Sequence, residues 1–436
     1  MRPLRLTAAW ALPGDGPPIP DAAVLIGKDG RIAATGPAPR VDAPADARTI
    51  ALGSAILLPG LVNTHTHLEL TGLEDRAPTP EAPFRDWILA IRRLKQARSP
   101  EEFLEAARRG VRDCWAAGMT TVADTGDSGA VVHALAELGG SGVVYHEVFG
   151  PHPEQVEESF AGLRSRVAEL APFAAGRVRL GVSPHAPYTV SGPLYARVAG
   201  WAAAEGFPVA VHLAESREET EFVTRGAGPF AEAWRSRGIP LLADAAHHPP
   251  PTTHYSPVDW LDAHGILGPS TLCIHAVELV GRDIALLAER GVAIAHCPLS
   301  NDRHGHRAAP LAALRAAGLR VGLGTDSVAS VGRLDLLGEA RAARALAGLG
   351  AEEALALGTR EGARALGLER EIGSLTPGKW GDVIAVHPGR GTPGPGAGTT
   401  PEALAEAVLS AGTGAVTVTV LGGRVVHRAA VPAGAA

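Results

Sequence analysis

The sequence has few cysteines, and the three that it has, Cys114, Cys273 and Cys297, are scattered through 436 residues. So sparse and odd a set excludes a disulfide framework of the kind that holds small secreted domains together. No apolar run is long enough to span a bilayer. The short apolar run near the N-terminus is broken at Pro13, well short of a secretory signal. The sequence therefore predicts a cytoplasmic protein.

Positive charge is also limited, because the formal net charge is −6. This balance argues against nucleic acid or an anionic membrane as the main partner, and it leaves a small molecule as the expected one. Hydrophobic residues make up 46% of the chain and charged residues 20%, so a large core can be buried. Homo-oligomerisation stays open.

An alternation of two kinds of segment runs from Pro59 to about Leu366. Short runs rich in Val and Ile are followed by longer Ala- and Arg-rich runs with helical spacing, a pattern typical of βα units around a parallel sheet. Eight strands are predicted, at residues 58–65, 120–125, 142–149, 178–184, 208–215, 271–277, 292–298 and 320–326. Eight units favour a closed (β/α)8 TIM barrel, with an open doubly wound sheet as the alternative.

The two ends of the chain have a different texture from the middle. Residues 1–57 and 367–436 contain short strand-like segments separated by glycine turns, and neither stretch could bury much surface alone. We therefore expect both to join in one small β-sandwich domain, with residues 58–366 forming the barrel.

Ionisable residues interrupt five of the predicted strands near their carboxyl ends. They are His65 and His67 on the first strand, His212 with Glu215 on the fifth, His275 on the sixth, His296 on the seventh and Asp326 on the eighth. A lone histidine of this kind is usually a hydrogen-bonded core residue. Since the active sites of such barrels lie at the carboxyl ends of the strands, the whole set predicts a functional site.

Imidazoles combined with a carboxylate are the ligands of a borderline divalent ion, zinc or alternatively iron. Such an ion lowers the pKa of a bound water from 15.7 to about 7, which makes a nucleophile available at neutral pH. The sequence therefore predicts hydrolysis and not redox chemistry.

Six motifs together resemble the amidohydrolase superfamily. They are PGLVNTHTHLEL, SPHAPYTV, VHLAES, CIHAVEL, AHCPLSN and GLGTDS. Within that superfamily they are similar to the branch that deaminates adenine-type nucleosides. SLTPGKWGDVIAV matches the returning C-terminal β segment of the superfamily, so the resemblance covers nearly the whole chain.

The resemblance implies a role for each matching residue. His65, His67, His212 and Asp326 would bind one divalent metal, and Asp326 would also take a proton from the attacking water. Glu215 would be the proton shuttle and a substrate contact, and His185 would contact a sugar hydroxyl. His275 would orient the metal-bound hydroxide or polarise the substituent of the attacked carbon. From the residues alone, Glu215 could instead be a first-turn acid of a helix starting at Ser216. Glu69 could bind substrate or lie in solvent.

Lysine occurs at three positions, Lys28, Lys95 and Lys379. Binuclear relatives bridge two metals with a carboxylated lysine inside the barrel, and no strand after the first can supply one here. We therefore expect one metal per chain, unless a glutamate replaces the bridge. Glu147 is the candidate for such a bridge, although we favour it as a pocket residue.

The predicted function is hydrolytic deamination of an adenine-type base with release of ammonia. HTHLEL and SPVDWLDAHGIL resemble the aminodeoxyfutalosine deaminases of menaquinone biosynthesis, which makes aminodeoxyfutalosine the expected substrate. The alternatives are a methylthioadenosine or adenosylhomocysteine deaminase, another amidohydrolase acting on a C–N or C–Cl bond, and a scaffold without catalysis. The roles of His296, His304 and His306 stay open.

Overall fold

The computed structural model describes residues 1–79, 82–242, 255–388 and 399–430. Its strands are β1 (Leu4–Ala11), β2 (Ile19–Ile26), β3 (Ile32–Pro37), β4 (Arg48–Ala51), β5 (Ile56–Pro59), β6 (Leu61–Thr66), β7 (Met119–Gly126), β8 (Gly142–Val148), β9 (Val178–Pro184), β10 (Val209–Leu213), β11 (Thr271–His275), β12 (Ala293–His296), β13 (Arg320–Leu323), β14 (Val383–Val386), β15 (Val416–Leu421) and β16 (Arg424–Arg428).

Most of the helices follow barrel strands, as expected for repeated βα units. They are α1 (Phe84–Gln96), α2 (Pro100–Ala116), α3 (Ala130–Leu138), α4 (Val156–Leu170), α5 (Gly192–Glu205), α6 (Arg217–Arg225), α7 (Gly228–Ser236), α8 (Pro257–Ala263), α9 (Gly281–Arg290), α10 (Pro298–Arg303), α11 (Leu311–Ala316), α12 (Val328–Val331), α13 (Leu336–Ala347), α14 (Ala351–Leu357), α15 (Arg360–Ala365) and α16 (Pro401–Ala411). Within the described ranges, no helix is both long and apolar enough to cross a bilayer.

Strands β6 to β13 form one sheet of eight strands in chain order. Its strands are buried along nearly their whole length, as in β10, where all five residues are buried. Burial on both faces is what a parallel sheet with helices around it requires. The predicted TIM barrel is confirmed.

Where the sequence predicts one strand at residues 58–65, the structure has parts of two strands that belong to different sheets. Leu58 and Pro59 belong to β5, which pairs antiparallel with β14, whereas the barrel strand β6 starts at Leu61. Gly60 separates the two strands, and a Cβ there would lie 2.1 Å from the Thr120 hydroxyl oxygen. The apolar run alone did not reveal this break.

Backbone contacts close the barrel between its first and last strands. The Asp326 N–H donates to the His65 carbonyl at 3.0 Å, and a parallel bridge joins Asp326 to Thr66. The Thr66 hydroxyl also donates to the Asp326 carbonyl at 3.0 Å. Two residues of the predicted site are therefore joined through the main chain as well as through their side chains.

The remaining strands form a second, mixed sheet built from both ends of the chain. Its order is β16-β15-β14-β5-β1-β2-β3, with β4 paired to β1. Leu6 and Ile26 from the N-terminal part and Val383 and Val420 from the C-terminal part belong to one buried cluster. The predicted β structure built from both termini is confirmed, and the strands predicted as a β-sandwich form a single mixed sheet.

By internal contacts the chain divides into two compact units. One consists of Met1–Thr64, Val111–Val122 and Leu334–Ala436, and the other of His65–Gly110 and Ala123–Arg333. The second unit contains the side chains of the predicted site. The domain boundaries at residues 57/58 and 366/367 stay a prediction.

Gly324 sits at the barrel closure, and we expect Gly324→Ala to destabilise the fold. An added Cβ would lie 2.7 Å from the His65 Cβ and 2.9 Å from both the His65 nitrogen and the Cys297 sulfur. Overpacking of this kind costs about 1–3 kcal/mol. Thermal unfolding followed by circular dichroism should show a lower Tm.

Gly200→Ala is the matched control, because Gly200 is exposed in α5 and has no atom within 4 Å of an added Cβ. In a helix this change should stabilise by up to about 1 kcal/mol. Equal Tm values for the two variants would contradict the tight closure.

Candidate active site

Three of the predicted metal ligands converge at the carboxyl ends of barrel strands. His65 lies in β6, His67 follows that strand directly, and His212 lies in β10. Since residues i and i+2 of a strand point to the same face, the first two imidazoles reach the same space. One potential ligand atom from each of the three histidines lies within 4.8 Å of the other two. The three rings thus form one compact cluster.

Asp326 adds a carboxylate to this cluster. Its Oδ1 lies 3.6 Å from His65 Nε2 and 3.5 Å from His67 Nε2, while its Oδ2 accepts a 2.6 Å hydrogen bond from the Ser300 hydroxyl. Burial raises the pKa of Asp326, but the neighbouring imidazoles of His65 and His67 more than reverse this effect and hold that pKa well below its usual range. The group is therefore a carboxylate at neutral pH.

The tautomer of His67 shows that a cation fits between these groups. Its Nδ1 lies 2.8 Å from the Thr125 carbonyl, which can only accept, so Nδ1 carries the proton. Its Nε2 then presents a lone pair to the Asp326 carboxylate. Two acceptors facing each other at 3.5 Å favour a cation between them, and a carbonyl partner of this kind is usual for a metal-binding histidine.

The pKa values of the clustered imidazoles agree with a metal site. Burial and the adjacent His65 lower the pKa of His67 to about 3. Burial and the adjacent His185 lower the pKa of His212 far below its usual value, and His212 Nδ1 is buried without a hydrogen-bond partner among the described residues. Neutral imidazoles with one carboxylate are the donor set of a divalent metal.

A second group of possible ligands overlaps the first. Glu147, His185 and His212 also place ligand atoms within 4.8 Å of one another. However, burial raises the pKa of Glu147 to about 8, against the opposing charge of Lys95. Because a protonated carboxyl group is a weak ligand, the set of Glu147, His185 and His212 is less suited to bind a cation at neutral pH.

Glu215 lies beside the histidine cluster. Helix α6 begins at Arg217 with Ser216 as its N-cap, so Glu215 precedes the helix and is not an acid of its first turn. Its Oε1 lies 3.4 Å from His275 Nε2 and 3.8 Å from His306 Nε2. The ring centroid of His275 is in turn 5.6 Å from those of His65 and His212.

The protonated form of Glu215 fits its contact with His275, because burial lowers the pKa of His275 to about 3 and leaves that imidazole neutral. His275 Nδ1 lies 2.9 Å from Asn301 Oδ1, an acceptor, so Nδ1 carries the proton and Nε2 presents a lone pair to Glu215. A carboxyl oxygen facing this lone pair is favourable when it carries a proton. Burial, followed by the charge of Asp326, raises the pKa of Glu215 far above its usual value.

Positive backbone φ angles are concentrated at these strand ends. Ala214 has φ +50°, His275 +69°, Ala276 +52° and Asp326 +54°. Left-handed conformations of non-glycine residues cost about 1–3 kcal/mol each and persist where the surroundings enforce them. Among the described residues outside this region, Asp21 is the other non-glycine residue with positive φ.

His185 directly follows β9. This strand flanks β10, which carries His212, on one side, and β11, which carries His275, flanks it on the other. His185 Nδ1 is 2.8 Å from the Thr189 hydroxyl, which itself donates to the Ala186 carbonyl, so His185 Nδ1 donates and Nε2 is an acceptor. Its ring centroid is 4.7 Å from that of His212 and 5.0 Å from that of Phe149.

Glu69 is buried in a network of polar groups. Its carboxylate accepts hydrogen bonds from the Ser128 hydroxyl and main-chain N–H and lies 2.5 Å from Lys95 Nζ. Lys95 also contacts Asp127 at 2.5 Å. Both carboxylate oxygens of Glu69 thus already contact the protein, and its predicted role as a substrate contact stays a prediction.

A cavity of about 320 Å³ is lined by residues that include Arg217 and Glu218, which follow Glu215 in the chain. Its lining includes Phe84, Arg217, His304 and His306, and His306 is the residue that contacts Glu215. The ring centroid of Phe84 is 4.7 Å from that of His306. The cavity therefore has an aromatic wall that begins beside the proposed proton donor.

His296 is fully buried, and neither of its ring nitrogens has a hydrogen-bond partner among the described residues. Burial lowers its pKa to about 4. His247, His248 and His254, which the sequence suggests are exposed, lie outside the described residues.

Sequence reasoning missed the residues that orient the site. Thr125 fixes the tautomer of His67, Asn301 that of His275, and Ser300 binds Asp326. Asn301 and Ser300 form the polar end of the motif AHCPLSN, which is the sequence signal that could have identified them. Thr125 contributes a carbonyl group, which no sequence motif could identify.

Comparison with known proteins supports these observations. The chain matches the Amidohydrolase family over residues 56–426 and belongs to that family. It is 33% identical to a 5-methylthioadenosine/S-adenosylhomocysteine deaminase from Moorella thermoacetica, over 86% of this chain and 83% of the relative. It is 34% identical to an aminodeoxyfutalosine deaminase from Deinococcus radiodurans, over 67% and 68%.

Among solved structures, the fold is similar to a zinc-bound adenosine deaminase from Xanthomonas campestris. The TM-score is 0.79 at 25% identity, covering 97% of this chain and 92% of that one. The predicted superfamily is therefore confirmed, and so is the class of hydrolase acting on C–N bonds other than peptide bonds.

We expect His212→Ala to lose bound metal. The substitution removes one of three imidazoles that share a space of 4.8 Å, and a metal site weakens sharply when a ligand is lost. Metal per chain after gel filtration, measured by inductively coupled plasma mass spectrometry, should fall close to zero.

His427→Ala is the control, because His427 lies in β16 of the mixed sheet. It should retain metal at the wild-type level. Full metal retention by the His212 variant would remove this residue from the ligand set.

Proposed function

We propose that the chain hydrolytically deaminates an adenine-type nucleoside. One arrangement carries the proposal: a buried, protonated Glu215 lies 3.4 Å from His275, next to a cluster of three imidazoles and the Asp326 carboxylate. An acid beside a metal-type donor set can protonate a ring nitrogen at the place where water is activated.

In this proposal His65, His67, His212 and Asp326 hold one divalent ion. When bound, the ion lowers the pKa of a water molecule so that a nucleophile is available at neutral pH. Zinc fits this donor set of three nitrogens and one oxygen, and it is the ion in the similar Xanthomonas structure. Metal analysis tests the expected ratio of one ion per chain, and a second ion at Glu147 and His185 would contradict it.

Glu215 starts the reaction by protonating the ring nitrogen next to the carbon that bears the amino group. Protonation makes the carbon that bears the amino group more electrophilic, because negative charge no longer has to develop on the ring nitrogen during attack. As the carbonyl of the product forms, Glu215 regains a proton from the added hydroxyl. The acid form required at the outset is the form that burial favours.

Asp326 handles the remaining proton. Its carboxylate takes one proton from the attacking water and delivers it to the amino group, which leaves as ammonia when the C–N bond breaks. The low pKa of this group keeps it ionised and able to accept. His275 is oriented by Asn301 and presents Nε2 to the reacting region, where it can accept a hydrogen bond from the added hydroxyl.

His185 is proposed to bind substrate, and Glu69 to support the loop that follows His67. His185 presents Nε2 beside Phe149, so it can accept a hydrogen bond from a sugar hydroxyl. Glu69 would reach a substrate only by giving up a contact with Ser128 or Lys95, so it acts more simply by supporting the loop that follows His67.

The substrate that the comparisons favour is a 5′-substituted adenosine such as methylthioadenosine or adenosylhomocysteine. The Moorella relative is similar over more of the chain than the Deinococcus relative, and further relatives at 30–32% identity have the same description as the former. Aminodeoxyfutalosine, favoured by the sequence motifs, is the second candidate because of the 34% identity to the Deinococcus enzyme.

A panel of nucleosides tests the proposed activity directly. Zinc-loaded protein should release ammonia from at least one of adenosine, 5′-deoxyadenosine, methylthioadenosine, adenosylhomocysteine and aminodeoxyfutalosine, with the expected ultraviolet shift of the base. We expect the highest kcat/KM with methylthioadenosine or adenosylhomocysteine. Guanine serves as the control base, and turnover of guanine alone would contradict the proposal.

Glu215→Gln should keep the metal but lose turnover. The amide has nearly the same shape and cannot give a proton, so kcat should fall by about 10²–10⁴-fold, the usual contribution of acid–base catalysis. Steady-state kinetics and metal analysis measure the two effects separately.

Glu232→Gln, an exposed position in α7, is the matched control and should have wild-type kcat. If the Glu215 variant kept more than about a tenth of the wild-type kcat, Glu215 could not be the main proton donor.

A further inference from the structure

Glu219 is a buried carboxylate that the reaction proposed above does not use. It lies in the first turn of α6 and is fully buried. Its two oxygens accept hydrogen bonds from consecutive main-chain N–H groups, Oε1 from Ala214 at 2.8 Å and Oε2 from Glu215 at 3.0 Å. Glu219 thus binds the backbone that carries the proposed proton donor.

The backbone held by Glu219 adopts a conformation that an L-amino acid rarely takes. Ala214 has φ +50°, and this turn directs the chain out of β10 immediately before Glu215. Because the N–H groups of Ala214 and Glu215 both donate to this carboxylate, the peptide units on either side of Ala214 are fixed in orientation. Without these two hydrogen bonds, relief of backbone strain would favour the return of Ala214 to a conformation with negative φ.

The same turn is connected to the strand end that carries His275. The Ala214 carbonyl accepts hydrogen bonds from the N–H groups of Val277 and Glu278, at 3.0 and 2.8 Å. These residues follow His275 and Ala276, which also have positive φ. Both members of the Glu215–His275 pair therefore depend on the position of Ala214.

Helix capping alone does not explain this arrangement. The sequence S-R-E-E at 216–219 has the spacing of a capping box, in which the glutamate would bind the N–H of Ser216. The Ser216 hydroxyl does accept the Glu219 N–H at 3.1 Å. The Glu219 carboxylate, however, reaches past the cap to the two residues before it.

We propose that Glu219 is a positioning residue that holds Glu215, and through Ala214 also His275, in the geometry needed for proton transfer. This proposal rests on the proposed function for its catalytic consequence and on the two main-chain hydrogen bonds for its structural basis. It assigns Glu219 no contact with substrate or metal.

A graded pair of substitutions tests the proposal. Glu219→Gln retains one acceptor oxygen, and Glu219→Met retains the length of the side chain but no acceptor. With the best substrate of the nucleoside panel, kcat should fall about tenfold for the first and about 100-fold for the second, the scale expected for a reacting group displaced by about 1 Å. KM should change less than twofold and metal per chain should stay at the wild-type value.

Glu221→Gln is the matched control, since Glu221 is half-buried in the same helix and binds none of these N–H groups. It should have wild-type kcat. Unchanged kcat in the Met variant, or a rise in KM with constant kcat, would overturn the positioning role.

Hydrogen exchange gives a readout that does not depend on activity. Peptides covering residues 213–216 and 275–278 should exchange faster in the Met variant, while the other barrel strands keep wild-type protection. Faster exchange over the whole chain would mean a general structural role and would overturn the proposal, as would unchanged exchange at residues 213–216. If wild-type protein deaminated no nucleoside, the proposed function would fail, and this local exchange would still decide whether Glu219 holds the turn.

Discussion

The carboxylate of Asp326, held among buried imidazoles, is the interaction on which the rest of the structure depends. Its main-chain N–H and carbonyl join the last strand of the barrel to His65 and Thr66 of the first. Its side chain meets the Nε2 atoms of His65 and His67 and the hydroxyl of Ser300. The same residue therefore closes the sheet and supplies the negative charge around which the site is organised.

A buried charge of this kind is unfavourable unless its surroundings compensate for it. Here the Ser300 hydroxyl donates to one carboxylate oxygen, while the Nε2 lone pair of His67 faces the other, so a cation between His67 and Asp326 would complete the compensation. Thr125 and Asn301 fix the tautomers of His67 and His275, so each ring has a defined donor and a defined acceptor side. The result is a set of acceptors that a divalent cation satisfies, next to one carboxylic acid that burial keeps protonated.

Backbone strain is concentrated around the same site. The left-handed residues Ala214, His275, Ala276 and Asp326 lie at the carboxyl ends of three barrel strands, β10, β11 and β13. Each is hydrogen-bonded to other parts of the barrel rim, and the Ala214 N–H donates to a buried carboxylate of α6. Strain is retained where it brings reacting groups together, which is where strained residues of enzymes are commonly found.

The sequence by itself determined the barrel, the sheet from both termini and the candidate residues at the strand ends. It could do so because periodic burial and the position of ionisable residues in apolar strands are local properties of the chain. Only the tertiary structure decided that β5 and β6 are separate strands, that Glu69 is paired with Lys95 and Ser128, and that Glu215 precedes α6 and faces His275. It also decided which carbonyl orients His67 and which buried acid holds Ala214. These contacts join residues that are far apart in the chain, and the turns depend on backbone angles. The order of residue types alone predicts neither the contacts nor the angles.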